Sequence, residues 1–172
     1  MYNNFFALVI FLSYLFFVVS CSVIPNNSVE VSNAARINVK LAFLYLEQGE
    51  IKIAKKKLLR AYKDSPNDPI VNDALGNFYG NVGELNIAQN YYIKAIKFAS
   101  EKGYFWHSYG RFLYKNGDYN NALKYLLLAA RDLNYISTGK AYADVSKVAW
   151  RLQQTELAKK YYKAAIAHGF KI

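Results

Sequence analysis

A period of 34 residues runs through this chain and constrains its architecture more than any other feature. Gly49, Gly83 and Gly117 recur at that interval, and so do Ala54, Ala88 and Ala122. A repeat of this length is one supersecondary unit that cannot bury its apolar face alone, so successive copies must stack. The frames fall near residues 35–68, 69–102 and 103–136, and after a two-residue insertion a weaker fourth occupies 139–172.

The residue types within each frame specify two antiparallel helices. Ala42, Gly76 and Gly110 allow the first helix (A) to approach the second (B), and Ala54, Ala88 and Ala122 allow it from the other side. Gly49, Gly83 and Gly117 suit a left-handed residue that ends helix A without a Cβ penalty. Glu50, Glu84 and Asp118 follow at once, placing a carboxylate where the dipole of helix B favours it. Asp68-Pro69 reads as an N-cap with proline at the first helical position. Together with Tyr45, Leu58, Ala61, Tyr79, Tyr92, Ala95, Trp106, Leu113, Leu126 and Ala129, these positions resemble those of a tetratricopeptide repeat. The expected fold is all-α, a right-handed α-solenoid of about four tetratricopeptide repeats over residues 33–172.

Ahead of the repeats, a fifteen-residue apolar run from Phe5 to Val19 ends at Val18-Val19-Ser20-Cys21. The run is shorter than the roughly twenty residues a bilayer-spanning helix needs, and it suits a secretory signal. An aliphatic and a small residue before the sole cysteine match the site of a bacterial lipoprotein signal peptidase. Residues 1–20 are therefore read as a lipoprotein signal peptide, Cys21 as the lipidation site and residues 21–32, with Pro25-Asn26-Asn27, as a lipidated tether. An uncleaved short anchor and removal by the ordinary signal peptidase are the alternatives, and Met1 to Asn4 lack the usual positive charge. Residues 1–20 hold no Lys, Arg, Asp or Glu, so the net charge of +10 belongs to the remainder.

Two stretches resemble the PilW/PilF type IV pilus biogenesis lipoproteins. They are Ala35-Arg36-Ile37-Asn38-Val39-Lys40-Leu41 leading to Tyr45-Leu46-Glu47-Gln48-Gly49-Glu50, and Ser108-Tyr109-Gly110-Arg111-Phe112-Leu113 with Gly117-Asp118-Tyr119 and Ala122. The first and third repeats carry it most specifically. The resemblance implies a non-enzymatic pilotin, anchored by lipid on the periplasmic face of the outer membrane, that aids localisation and multimerisation of a secretin-type outer-membrane protein. Members of that family have about six repeats, and Tyr114 stands where they often have a cysteine. A generic repeat lipoprotein that scaffolds envelope hydrolases, proteases or another membrane assembly is the other reading.

Projecting the groove-facing positions of helix A gives Arg36, Phe43, Asp73, Asn77, Tyr104, His107, Arg111, Tyr114, Lys115, Lys147, Trp150 and Arg151 as the candidate partner-binding surface. Its C-terminal half is basic and aromatic, a composition common at binding hot spots and suited to an acidic peptide. Packing of Tyr104, Tyr114 and Trp150 against neighbouring helices is the competing account. The cations Lys52, Lys55, Lys56, Lys57, Arg60 and Lys63 read as a solvated convex face rather than a nucleic-acid site. His107 and His168 stand alone without metal-ligand spacing, and no catalytic constellation or cofactor motif is present. At the C-terminal end, Tyr161, Tyr162 and Phe170 are expected to leave an apolar face open to self-association.

Overall fold

The computed structural model of the protein describes residues 27–171. The expected signal segment 1–20 and the expected lipidation site Cys21 lie outside the described residues. Val31–Ile172 form one compact unit, described below. Eight α-helices and no strand occupy the described residues: α1 (Asn27–Glu47), α2 (Ile51–Asp64), α3 (Pro69–Asn81), α4 (Leu85–Phe98), α5 (Gly103–Lys115), α6 (Tyr119–Ala130), α7 (Thr138–Arg151) and α8 (Thr155–Ala167). Odd-numbered helices are the A helices of the four repeats, and even-numbered ones the B helices. The fold is an all-α solenoid.

One expected boundary shifts. α1 starts at Asn27, inside the stretch read as a tether to residue 32. No proline or glycine lies between Asn27 and Gly49, so nothing within this stretch interrupts the helix.

The A-to-B turns repeat one backbone device. Gly49, Gly83 and Gly117 have φ of 77°, 87° and 83°. The amides of Glu50, Glu84 and Asp118 donate back to Tyr45 O, Tyr79 O and Leu113 O at 2.8, 2.9 and 3.0 Å. These bonds satisfy carbonyls at the end of helix A. The fourth turn builds the same geometry on Gln153, at φ 60°, with Gln154 N donating to Ala149 O at 2.9 Å. The carboxylates after the glycines divide: Asp118 accepts from Asn121 N, whereas Glu50 and Glu84 make no side-chain cap. Asp68 caps α3 as its sequence suggests, accepting from Ile70 N and Val71 N.

Close helix contact sets the spacing between A and B. A Cβ added to Gly110 would lie 2.7 Å from Leu126 Cγ, and one on Gly76 would lie 3.0 Å from the Tyr92 ring. In the fourth repeat Ser146 fills this small position, and its Oγ donates to Ala158 O at 2.8 Å. The core between the helices is continuous: Leu58, Val71, Leu75, Leu126, Val145 and Val148 are almost wholly buried. Each contributes about 1.5–3 kcal/mol of transfer free energy. Aromatic contacts join consecutive pairs, as in Tyr92 with Phe112 at 4.9 Å, and also brace the helices within a pair, as in Tyr109 with Tyr125 at 4.7 Å between ring centroids.

Candidate functional site: a basic cleft along the A helices

α3, α5 and α7 lie side by side and leave a cleft of about 420 Å³ between them. Asn77, Arg111, Tyr114, Lys115 and Lys147, all expected on the binding face, line it together with Gly80, Asn81, Ser108 and Asp144. Helical spacing explains the alignment. Arg111, Tyr114 and Lys115 are three and four residues apart on α5, and so project to one side. Lys115 Nζ reaches back to Asn81 Oδ1 at 3.0 Å, a contact between residues 34 apart that recreates the repeat in space.

The cleft is electropositive because its cations outnumber its acid. Arg111, Lys115 and Lys147 are exposed, and Asp144 is the one carboxylate among the lining residues. Asp144 already serves three partners: His107 Nε2 at 2.9 Å, Lys147 Nζ at 3.0 Å and Arg111 Nε at 3.8 Å. Burial opposes its charge, but the hydrogen bonds from His107 and Lys147, with their charges, prevail and hold the carboxyl below its ordinary range. It neither neutralises three cations nor leaves the cleft free of charge.

A second depression, of about 650 Å³, adjoins the first, with Tyr114 and Lys147 common to both. Trp150, Arg151, Lys159, Tyr162 and Phe170 complete it. Trp150 is 65% exposed, so this ring is a surface feature and not part of the core. Arg151 Nε donates to Tyr114 OH at 3.4 Å, which joins the two depressions at their shared wall.

Several expected groove residues are placed otherwise. Asp73 is buried, because Tyr104 from the next repeat folds across it and donates its hydroxyl to Oδ2 at 3.2 Å. Asn77 Nδ2 donates to the same oxygen at 3.0 Å. Burial pushes the Asp73 carboxyl up to about 6, against the hydrogen-bonding pull of Ser108, Tyr104 and Asn77. His107 is likewise buried, held between Asp144 and the Tyr135 hydroxyl, which lies 2.8 Å from Nδ1. Both side chains support the wall of the groove and do not line the cleft. Arg36 pairs with Asp68 at 3.1 Å, and Phe43 is exposed on α1 away from the basic cleft. Arg36, Tyr104 and His107 instead border a third depression of about 820 Å³ at the rim formed by the B-to-A connections.

Asp144 and Ser108 were missed by projection, although the repeat frame contains a signal for them. Asp73 and His107 hold equivalent positions, and each is approached by the residue one place further on in the next frame. That residue is Ser108 for Asp73 and, across the two-residue insertion, Asp144 for His107. At the C-terminal end Tyr161 is buried and stacks on Tyr142 at 5.8 Å, so the expected apolar face there is reduced to Tyr162 and Phe170.

Stacked helix pairs with an open groove along their A helices define a helical-repeat protein. The chain belongs to the tetratricopeptide repeat family, whose profile matches residues 71–102, 104–131 and 139–167. The match includes the weak fourth repeat and omits the first, whose turn and helix pair nonetheless follow the same geometry. No curated protein sequence matches the chain. Among solved structures, PilF of Pseudomonas aeruginosa aligns with TM-score 0.75 and 24% identity, over 81% of this chain and 63% of its own. PilW, a type IV pilus biogenesis factor, aligns with TM-score 0.71 and 20% identity over 77% and 61%. MamA aligns with TM-score 0.67 and 17% identity over 79% and 78%. The chain thus spans less than two thirds of the length of either PilF or PilW, and at these identities the likeness establishes the fold.

Proposed function

We propose that this protein is a lipid-anchored adaptor of type IV pilus biogenesis, a pilotin that holds an acidic segment of a secretin-type outer-membrane protein in its basic cleft. The observation that carries the reading is the convergence of Arg111, Lys115 and Lys147 beside Tyr114 and the exposed Trp150. Cations give register and association rate, while amphipathic rings supply contact area at low entropic cost. Lipid on Cys21 would set the location at the periplasmic face of the outer membrane, and two or three acyl chains make such an anchor effectively permanent. The similarity to the PilF and PilW folds and the two resembling sequence stretches support the same direction.

A generic scaffold for another envelope assembly is the second reading, and the comparable likeness to MamA favours it. The two separate by partner. Affinity capture from membranes with wild-type protein should recover a secretin, and the pair Arg111→Glu and Lys147→Glu should reduce recovery about tenfold or more with helicity unchanged. Capture of envelope hydrolases or proteases without a secretin would overturn the pilotin reading in favour of the scaffold.

A further inference from the structure

The connection between α6 and α7 carries two aliphatic side chains that nothing in the described chain covers. Leu133 is 100% exposed and Ile136 98%. This connection contains the two-residue insertion that breaks the 34-residue period. The two preceding B-to-A connections, Ser65-Pro66-Asn67-Asp68 and Ala99-Ser100-Glu101-Lys102, expose no large aliphatic residue. Stacking of the repeats does not need these side chains.

The loop is held in shape. Tyr135 N donates to Asp132 O at 3.1 Å and Asn134 N to Asp132 Oδ1 at 2.9 Å. Tyr135 hangs inward, with its hydroxyl on His107 and its ring seated over Gly103, where a Cβ would lie 2.5 Å from Tyr135 Cβ. Leu133 and Ile136 flank that anchor and point away from the fold. Asp132 is used by the turn itself, and the neighbouring cations Arg131 and Lys140 are exposed.

We propose that Leu133 and Ile136 insert into the lipid interface of the membrane that carries the anchor, and so orient the solenoid on it. The inference rests on the anchored reading above. Its geometric basis is the shared rim: Arg36, near the start of the compact unit, borders the same depression as Asp132, Asn134, Tyr135 and Ile136. Cys21 lies six residues before Asn27, the first residue of α1, a span of at most about 20 Å when extended. The rim that the N-terminal half of α1 reaches through Arg36 is therefore the one that displays the two aliphatic tips. Two side chains on a tight turn are too small for a stable protein interface, which needs about 800 Å² per partner. They suit a bilayer surface, where Arg131 and Lys140 can reach headgroups while aliphatic tips enter below them.

The test uses full-length protein purified from cells, with Ile136→Cys or Leu133→Cys labelled by an environment-sensitive fluorophore. Asn86→Cys, at the opposite rim, serves as the control. Protein is reconstituted in phosphatidylethanolamine and phosphatidylglycerol vesicles containing a doxyl-labelled lipid. The expected result is strong lipid quenching and loss of iodide quenching at 133 and 136, with neither at 86. A label at 136 that iodide still reaches overturns the proposal, as does one shielded from iodide without lipid quenching, which means that a protein covers the loop. Mass spectrometry of the Cys21 peptide in the same preparation separates the two ideas. Lipidated Cys21 with a wet loop sinks the insertion alone, and unmodified Cys21 with a lipid-quenched loop sinks the anchor alone.

Discussion

His107 Nε2 lies 2.9 Å from Asp144 Oδ2, and this contact joins the third repeat to the fourth beneath the basic cleft. Asp144 is ionised and can only accept, so Nε2 donates to it, while Nδ1 shares a hydrogen bond with the Tyr135 hydroxyl at 2.8 Å. One imidazole thereby fixes both an acid in the groove wall and the loop after α6. His107→Leu should cost about 1–3 kcal/mol, because two partly buried polar groups lose a partner. Urea unfolding of wild type and variant checks this, and an unchanged midpoint would contradict it.

Asp73 gives the pH dependence a direction. Its folded value of about 6 lies above the ordinary 3.8, so its ionisation subtracts stability. The loss is absent below pH 3.8 and complete above pH 6, and it amounts to about 3 kcal/mol. Asp144 acts oppositely: its depressed carboxyl stabilises the fold above the ordinary carboxylate value and loses that contribution only as pH falls through its own lower one. Asp73→Asn should therefore raise stability at neutral pH by about 1–3 kcal/mol and flatten the profile between 3.8 and 6. Chemical denaturation across that range tests both, and a variant no more stable at neutral pH would refute the assignment.

Gln153 occupies the left-handed region that glycine occupies in the other three turns. A non-glycine residue there carries about 1–2 kcal/mol of strain, partly offset by the greater unfolded-state freedom of glycine. Gln153→Gly should stabilise the protein by about 0.5–1 kcal/mol, read as a higher melting temperature. Gln153→Val should lower it.

Gly110 marks a close contact between α5 and its own partner helix α6. Gly110→Ala would put a methyl 2.7 Å from Leu126 Cγ and 3.1 Å from Leu126 N, so α6 must shift bodily. Overpacking of this kind costs about 1–3 kcal/mol. Gly76→Ala, whose methyl would meet the Tyr92 ring at 3.0 Å, should cost less. Thermal melts that reverse this order would contradict the packing argument.

Three turns and the stacked helix pairs were legible because glycine at a 34-residue interval leaves a direct trace in sequence. The fourth turn was not, since glutamine has no preference for the conformation that Gln153 adopts. Projection onto helix A also located Asn77, Arg111, Tyr114, Lys115, Lys147, Trp150 and Arg151 along the groove. It misplaced Asp73 and His107 because a helical period gives the direction of a side chain but not what covers it. In both cases the cover, Tyr104 or Tyr135, comes from a residue about thirty positions later whose reach depends on how the repeats stack. Asp144 escaped for the complementary reason, lying one place off the groove-facing frame.

The pilotin account is tested most directly by the state of the secretin in cells lacking this protein. Deletion of the gene should deplete heat-resistant secretin multimers from the outer membrane. Wild-type protein should restore them, while a stably expressed Arg111→Glu, Lys147→Glu variant should not. Multimers at wild-type level and location in the deletion strain would contradict the account.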